Sequence, residues 1–283
     1  MMNDTQPHPA EKTTEFPYIH GFSEKEQQRL REQSRFSEYE VYKNIDLSQV
    51  STLLEVGCGV GAQSEILLRR FPDLHLTGID FSKVQLAAAE KYLSSLSLAE
   101  GRFDLHQMDA TNMDFKSNSF EGAFLCWVLE HIPDPARVLS EVRRVLQPGG
   151  IIYVNEVQNA SFFMDPYSQN MQQYWLAFND HQKEVGGDPF IGAKLGNLLL
   201  ALGYQDIQLE HKTWLLDNRS PDRRKEVIEY WTELLLSAAP QLIEAQKVSE
   251  EVVKGMKYDL QKVKNDPNAV FYYSFVQARA RAY

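Results

Sequence analysis

The stretch that decides the fold is Leu53-Leu54-Glu55-Val56-Gly57-Cys58-Gly59-Val60-Gly61. It predicts a short apolar strand that runs into three alternating glycines, followed by a helix through Glu65-Ile66-Leu67-Leu68. Glycine lets the backbone turn tightly and approach a ligand where a Cβ would clash. The helix N-terminus directs its amide groups toward the same place. A strand, a glycine loop and a helix in this order predict a binding site for a nucleotide cofactor.

Two glycine patterns fit this loop. Gly57-x-Gly59-x-x-Ala62 matches the dinucleotide pattern, which on its own is weak. Glu55-x-Gly57-x-Gly59-x-Gly61 instead resembles the first motif of class I S-adenosylmethionine-dependent methyltransferases. The methionine end of that cofactor carries an ammonium and a sulfonium, which an acidic loop attracts by Coulomb's law. Glu55 therefore favours S-adenosylmethionine as the cofactor, with S-adenosylhomocysteine as the product.

A second predicted strand ends at Asp80, about twenty residues after the glycines, where an acid can bind ribose hydroxyls. Ser82-x-x-Gln85 is a capping box for the next helix. Phe81 is either a face for the adenine or an ordinary core residue, and the resemblance implies the adenine contact. Asp80, Phe81 and Gln85 are therefore predicted cofactor residues.

A third strand is predicted over Phe103–Ala110, and it ends in the acid Asp109 followed by the small residue Ala110. In the family that the chain resembles, this acid accepts the adenine amino group and its neighbour supplies backbone contacts. The alternative is that Asp109 only ends a strand and starts a turn.

The fourth predicted strand ends at Cys126-Trp127, and both residues are predicted to contact the cofactor. The phrases Leu129-Glu130-His131-Ile132-x-Asp134-Pro135 and Leu146-x-Pro148-Gly149-Gly150 are both typical of the methyltransferases that the chain resembles. The apolar run Ile151–Val154 is suited to a buried parallel strand.

The resemblance implies an α/β, Rossmann-like sheet of seven strands in the order 3-2-1-4-5-7-6, with helices on both faces. Strand 7 would be antiparallel and formed by Ala269–Ala278. Residues 1–45 are predicted to be an N-terminal arm and helix that cap the site, and residues 46–283 the methyltransferase domain. Helical lid insertions are predicted at about 158–190 and 219–265, after strands 5 and 6.

Composition limits the possible partners. The net charge of −10 and the pI of about 5.2 argue against an extended nucleic-acid surface. The two cysteines cannot form a disulfide framework, and no apolar run reaches the roughly twenty residues of a membrane span. Without a signal-peptide pattern, the sequence predicts a cytoplasmic protein, monomeric or homodimeric, that acts on a small molecule.

The segment before the first strand contains a second group of candidates. Tyr18, His20, Arg29 and Gln33 are predicted to line the carboxylate end of the cofactor or the substrate side. The alternative is an amphipathic helix that only covers the edge of the sheet.

Aromatic and methionine residues in Phe162–Phe178 are predicted to share one helical face. Such a face usually packs on the core. Here it follows the end of the fifth strand, where ligands of open α/β sheets bind, so a substrate lid is predicted.

Methyl transfer from a sulfonium is an in-line displacement, in which the protein mainly aligns the nucleophile and excludes water. A hydroxyl or carbon acceptor needs a general base, for which His131 is the first candidate and Glu130 and Glu156 are next. His131 could instead only fix its loop. No metal-ligand spacing or nucleophilic triad is visible. The predicted function is methyl transfer to a small molecule; the alternatives are a non-catalytic S-adenosylmethionine-binding regulator and an NAD(P)-dependent oxidoreductase.

Overall fold

A computed structural model describes residues 18–283, so the part of the predicted arm at residues 1–17 lies outside the described residues. The helices are α1 (Glu24–Tyr42), α2 (Ala62–Arg70), α3 (Lys83–Leu93), α4 (Pro135–Val145), α5 (Gln169–Glu184), α6 (Leu195–Ala201), α7 (Pro221–Glu244) and α8 (Glu250–Asn265). The strands are β1 (Thr52–Val56), β2 (His75–Asp80), β3 (Phe103–Gln107), β4 (Phe120–Cys126), β5 (Leu146–Val157), β6 (Phe163–Asp165), β7 (Gln205–Leu216) and β8 (Val270–Arg281).

The strands form one mixed sheet in the order β3-β2-β1-β4-β5-β8-β7. The first five pair in parallel, and β8 is antiparallel to both β5 and β7. This confirms the predicted order, since β7 and β8 are the predicted strands 6 and 7. The short strand β6, which pairs with Val270–Tyr272 of β8, was not predicted.

The sheet carries a hydrophobic core on each face, because successive side chains of a strand point to opposite faces. In β1, Leu53 belongs to one core and Leu54 to the other. Helices α1, α2, α5, α7 and α8 contribute to the core of Leu53, and α4 and α6 to that of Leu54. The predicted coverage of both faces is confirmed, and it leaves the carboxyl ends of the parallel strands as the place for a ligand.

Helices α5, α7 and α8 lie within the two predicted insertions. The prediction of one helical face across Phe162–Phe178 is wrong in its first part, because Phe163–Asp165 forms β6. Helix α5 begins only at Gln169, after Ser168, whose Oγ accepts a hydrogen bond from the Met171 N–H at 2.9 Å. The buried apolar face of α5 therefore consists of Met171, Tyr174, Trp175 and Phe178.

Candidate active site

A cavity of about 490 Å³ lies at the carboxyl ends of the parallel strands. This volume is within the range of about 300–1,000 Å³ that is usual for small-molecule sites. One half is formed by the glycine loop and the ends of β2, β3 and β4, and we call it the cofactor half. The other half is walled by rings from the N-terminal segment, α5, α7, β7 and β8, and we call it the aromatic half. The two halves are continuous.

The glycine loop owes its shape to left-handed backbone conformations. Gly57, Gly59 and Gly61 have φ values of 70°, 53° and 74°, which non-glycine residues rarely adopt. The N–H groups of Gly57 and Cys58 donate to the Ile79 carbonyl at 2.8 and 3.0 Å, so the loop is fixed to the end of β2. A Cβ on Gly59 would meet no atom within 4 Å and would project into open space beside the cavity.

Asp80 also fixes the glycine loop. Its carboxylate accepts the Gly59 N–H at 2.9 Å and the Ser82 N–H at 2.8 Å. Burial raises the pKa of Asp80 above its ordinary value, and the hydrogen bonds from these two amides offset part of that rise. The side chain lines the cavity between the glycine loop and α3, as a ribose-binding acid must.

Four further predicted cofactor residues also line the cavity: Phe81, Gln85, Asp109 and Ala110. Asp109 accepts hydrogen bonds from the N–H and the hydroxyl of Thr111 at 2.8 and 2.7 Å, which fix its carboxylate. Gln85 is buried, and its Oε1 has no hydrogen-bond partner among the described residues. A buried acceptor without a partner is costly, so the wall is suited to a ligand that carries N–H or O–H donors.

Three predicted site residues do not line the cavity: Glu55, Gly61 and Glu156. Glu55 lies buried beneath the loop, where it accepts a hydrogen bond from the Ser64 hydroxyl at 2.5 Å. Burial raises the pKa of Glu55 to about 8, so it is largely protonated at pH 7 and lacks the charge that was expected to attract an ammonium. A Cβ on Gly61 would approach Leu93 at 3.1 Å, so this glycine serves the packing of α2 on α3.

Glu156 holds the loop that follows β4. One carboxyl oxygen accepts the N–H groups of Val128 and Leu129 at 3.0 and 2.7 Å. Burial and the neighbouring Glu130 raise the pKa of Glu156 to about 8. The contacts of Glu156 are therefore those of a positioning residue for the loop that presents Glu130 and His131.

Glu130 and His131 do line the cavity, where its two halves meet. Gln182 of α5 donates to one oxygen of Glu130 at 2.8 Å, and the other lies 3.7 Å from Nε2 of His131. Burial lowers the pKa of His131, so its imidazole is neutral at pH 7 and can accept a proton.

The predicted end-of-strand residues Cys126 and Trp127 also line the cavity. Trp127 has a φ of 56°, a strained conformation for a bulky residue. Its N–H donates to the Asn155 carbonyl at 2.9 Å. Its ring packs against that of Phe275, with 5.7 Å between the ring centroids. Strained residues of this kind concentrate at functional sites.

The N-terminal segment covers the aromatic half. Tyr18, His20, Arg29 and Gln33 all line the cavity, as the sequence suggested. Arg29 contacts both oxygens of Glu26 at 2.6 and 2.7 Å and donates to Gln33 at 3.0 Å.

Helix α7 holds this segment in place. Gln241 donates to the Tyr18 carbonyl at 3.0 Å, and Ser237 lies 2.7 Å from Nδ1 of His20. The cover therefore depends on contacts between the beginning of the chain and the second insertion.

Several residues that line the aromatic half were not predicted from the sequence as site residues. Trp175 and Phe178 of α5, Trp231 of α7 and Tyr273 of β8 line it together with Trp214 of β7. Of these, the sequence predicts only the α5 pair, as part of a lid face. Trp214, Trp231 and Tyr273 carry no local signal, because only the folding of distant segments brings their rings together.

Within residues 18–283, no group of three or more His, Cys, Asp or Glu side chains is arranged to hold a metal ion. In the same part of the chain, none of the helices combines the length and the apolar character needed to cross a bilayer.

The order of the strands and the glycine loop are those of the class I methyltransferase fold. Residues 54–154 match the family model described as "Methyltransferase domain". The predicted family resemblance and the cofactor that it implies are thereby confirmed.

Curated relatives agree with this assignment. Demethylmenaquinone methyltransferase of Desulfitobacterium hafniense is 33% identical over 138 residues, which are 48% of this chain and 52% of that protein. Sterol 24-C-methyltransferase ERG6B of Gibberella zeae is 34% identical over 119 residues, 42% of this chain and 31% of that protein. The chain thus spans about half or less of the length of these relatives.

Solved structures show the fold over most of the chain. Phosphoethanolamine N-methyltransferase 2 of Haemonchus contortus, in complex with S-adenosyl-L-methionine, has a TM-score of 0.52 and 20% identity, with 90% of this chain and 52% of that chain covered. The [4+2]-cyclase SpnF has a TM-score of 0.54 and 22% identity, with 87% and 80% covered. Since that neighbour is named a cyclase, the fold alone does not establish methyl transfer.

Gly59→Ala is predicted to weaken S-adenosylmethionine binding at least tenfold, because the new Cβ would occupy the cofactor half. A left-handed alanine also costs about 1–2 kcal/mol. Gly101→Ala is the matched control, because Gly101 has a φ of 67°, a Cβ at this position would meet no atom within 4 Å, and the residue does not line the cavity. Isothermal titration of both variants with S-adenosylmethionine separates the loss of cavity space from the backbone cost. Equal affinities of the two variants would contradict this placement of the loop.

Glu55→Gln is predicted to become more stable relative to the wild type as the pH rises from 5 to 8. In the wild type the folded state keeps a proton up to about pH 8, whereas the unfolded state loses it near pH 4.5. Folded wild-type protein therefore loses about 1.4 kcal/mol per pH unit in this window, and glutamine does not. Thermal denaturation of both proteins across this range measures the difference; the exposed control Glu100→Gln should run parallel to the wild type.

Proposed function

We propose that the protein transfers the methyl group of S-adenosylmethionine to a small molecule bound in the aromatic half. The observation that carries this proposal is the continuity of the cavity, in which the glycine loop and Asp80 lead directly to Glu130, His131 and the ring-lined chamber. A protein that only sensed the cofactor would not need a second, ring-lined compartment next to it. The two relatives above are named as methyltransferases of small molecules, which supports the same reaction class.

The residues that fit the cofactor are those of the cofactor half: Gly57, Gly59, Asp80, Phe81, Gln85, Asp109, Ala110, Cys126 and Trp127. When bound, S-adenosylmethionine supplies an electrophilic methyl group on a sulfonium. Gly59, which has no Cβ, leaves space for the cofactor. Asp80 and Gln85 have oxygen atoms that can accept hydrogen bonds from the donor groups of a nucleoside. Arg29 and Gln33 line the cavity from α1. Because Glu26 already binds the Arg29 guanidinium, the Gln33 amide is the group that would donate to a carboxylate.

The other residues prepare the acceptor. Glu130 and His131 stand where the halves meet, so either can take a proton from an acceptor that must lose one. The rings of the aromatic half exclude water and fix the orientation of the acceptor, which is the larger part of catalysis for an in-line displacement. Glu156 acts through the loop that it holds.

The same arrangement supports the predicted division into domains. We infer that residues 1–45 form a cap and that residues 46–283 form the methyltransferase domain, with the insertions at 158–190 and 219–265 selecting the substrate. The free thiols of Cys58 and Cys126 agree with a cytoplasmic location. A monomer or a homodimer remains our prediction for the oligomeric state.

Removal of residues 1–22 is predicted to weaken S-adenosylmethionine binding at least tenfold, because the contacts of Tyr18 and His20 with α7 would be lost and the cavity would open. A chain lacking only residues 1–17 is the control, since it keeps both contacts. Titration calorimetry measures both affinities. An unchanged affinity in the chain that lacks residues 1–22 would rule out a lid.

Release of S-adenosylhomocysteine in the presence of a panel of small acceptors tests the reaction itself. We expect release that depends on the acceptor, with a more than threefold lower kcat and an unchanged cofactor Kd in His131→Ala. A loss smaller than threefold would remove His131 as the base. Cofactor binding without release for any acceptor would favour the regulatory alternative.

A further inference from the structure

The carboxyl group of Glu130 lines the cavity where its two halves meet. Glu130 is buried, and one of its oxygens accepts a hydrogen bond from the neutral amide of Gln182. Its other oxygen lies 3.7 Å from His131. Among residues 18–283, neither a lysine nor an arginine forms an ion pair with this carboxylate. A buried carboxylate without a cation is costly, since its desolvation is not offset by attraction.

Neighbouring groups do not supply the missing positive charge. Arg29 faces the same cavity, but Glu26 binds its guanidinium through two hydrogen bonds and neutralises it. Burial lowers the pKa of both His20 and His131, so both rings are neutral at pH 7. Among the described residues, these neighbouring groups therefore provide no cationic partner for the Glu130 carboxyl group.

Four aromatic rings line the same cavity as Glu130 and pack against one another. Trp175 lies 5.6 Å from Phe178 and 5.5 Å from Trp231, and Trp231 lies 4.7 Å from Tyr273, measured between ring centroids. In the described part of the chain, no lysine or arginine lies over any of these four rings. Among the cavity rings, Tyr230 has such a contact, with Arg29 at 6.0 Å. Aromatic faces attract cations within about 6 Å of the ring centroid.

We propose that the methyl acceptor is a protonated amine, with its ammonium beside Glu130 and its carbon skeleton against Trp175, Phe178, Trp231 and Tyr273. This proposal rests on the proposed methyl transfer and names the class of its substrate. The aromatic faces and the carboxylate would both favour a cation, and a neutral acceptor of the same shape would leave the carboxylate unpaired. Specificity of this kind is strong, because the wrong ligand leaves a buried polar group without a partner.

Methyl transfer to such an amine balances in two steps. The ammonium first gives one proton to the Glu130 carboxylate, from which His131, at 3.7 Å, can relay it toward solvent. The freed nitrogen lone pair then forms the N–C bond to the methyl group as the C–S bond breaks, and the sulfur keeps the bonding pair. The products are the methylated ammonium and S-adenosylhomocysteine, and the rings stabilise the cation before and after transfer.

Titration calorimetry of the wild-type protein, saturated with S-adenosylhomocysteine, tests the proposal. The probes are phenyltrimethylammonium, a cation that cannot be methylated, and 2-phenylethanol, a neutral ring compound. We expect the cation to bind at least tenfold more tightly than the alcohol. Equal or weaker binding of the cation would overturn the amine assignment, and this comparison does not depend on whether any variant folds.

Two variants locate the site. Glu130→Gln should weaken phenyltrimethylammonium binding at least tenfold, whereas Glu100→Gln, which removes one exposed charge outside the cavity, should leave it unchanged. If Glu130→Gln weakens S-adenosylmethionine relative to S-adenosylhomocysteine but leaves the binding of the cation probe unchanged, Glu130 serves the sulfonium and the amine assignment is wrong.

The same titrations separate this proposal from the function on which it rests. A protein that binds S-adenosylhomocysteine but not the cation contradicts only the amine assignment. A protein that binds the cation but neither sulfur compound contradicts the methyltransferase function.

Discussion

The left-handed glycine loop between β1 and α2 is the constraint on which the rest of the site depends. Three residues with positive φ within five positions bring the chain back over the end of the sheet, and the Ile79 carbonyl and the Asp80 carboxylate bind the amides of that loop. The same arrangement leaves the space above Gly59 open. The position of the cofactor half, and hence of the aromatic half beside it, follows from this local geometry.

Burial then sets the electrostatics of the cavity. It keeps Glu55 and Glu156 protonated at neutral pH and both cavity histidines uncharged. Glu26 and Arg29 neutralise each other. Asp80 and Asp109 belong to the cofactor half, so Glu130 is the carboxylate that stands beside the aromatic rings. In our proposal this carboxylate distinguishes cationic from neutral acceptors.

Local sequence predicted the cofactor half well, because each of its parts is a short motif at the end of a strand. The glycine loop and the positions of Asp80 and Asp109 could be predicted in this way, whereas the order of the strands was implied by the family resemblance. Glu55 shows the limit of prediction from local motifs, because its position in the motif does not reveal that its side chain lies beneath the loop. In the aromatic half, the sequence predicted Trp175 and Phe178 as part of a lid. Trp214, Trp231 and Tyr273 could not be predicted, since they meet only after the second insertion and the last two strands pack together.

A thermal-shift comparison of S-adenosylmethionine, S-adenosylhomocysteine, NAD and NADP tests the central claim most directly. A ligand at a hundred times its Kd stabilises the folded state by about 2.7 kcal/mol, which raises the Tm by several degrees. The account predicts such a rise with the two sulfur compounds and none with the nicotinamide cofactors. A rise with NAD or NADP alone would contradict it and would make Gly57-x-Gly59-x-x-Ala62 a dinucleotide-binding loop.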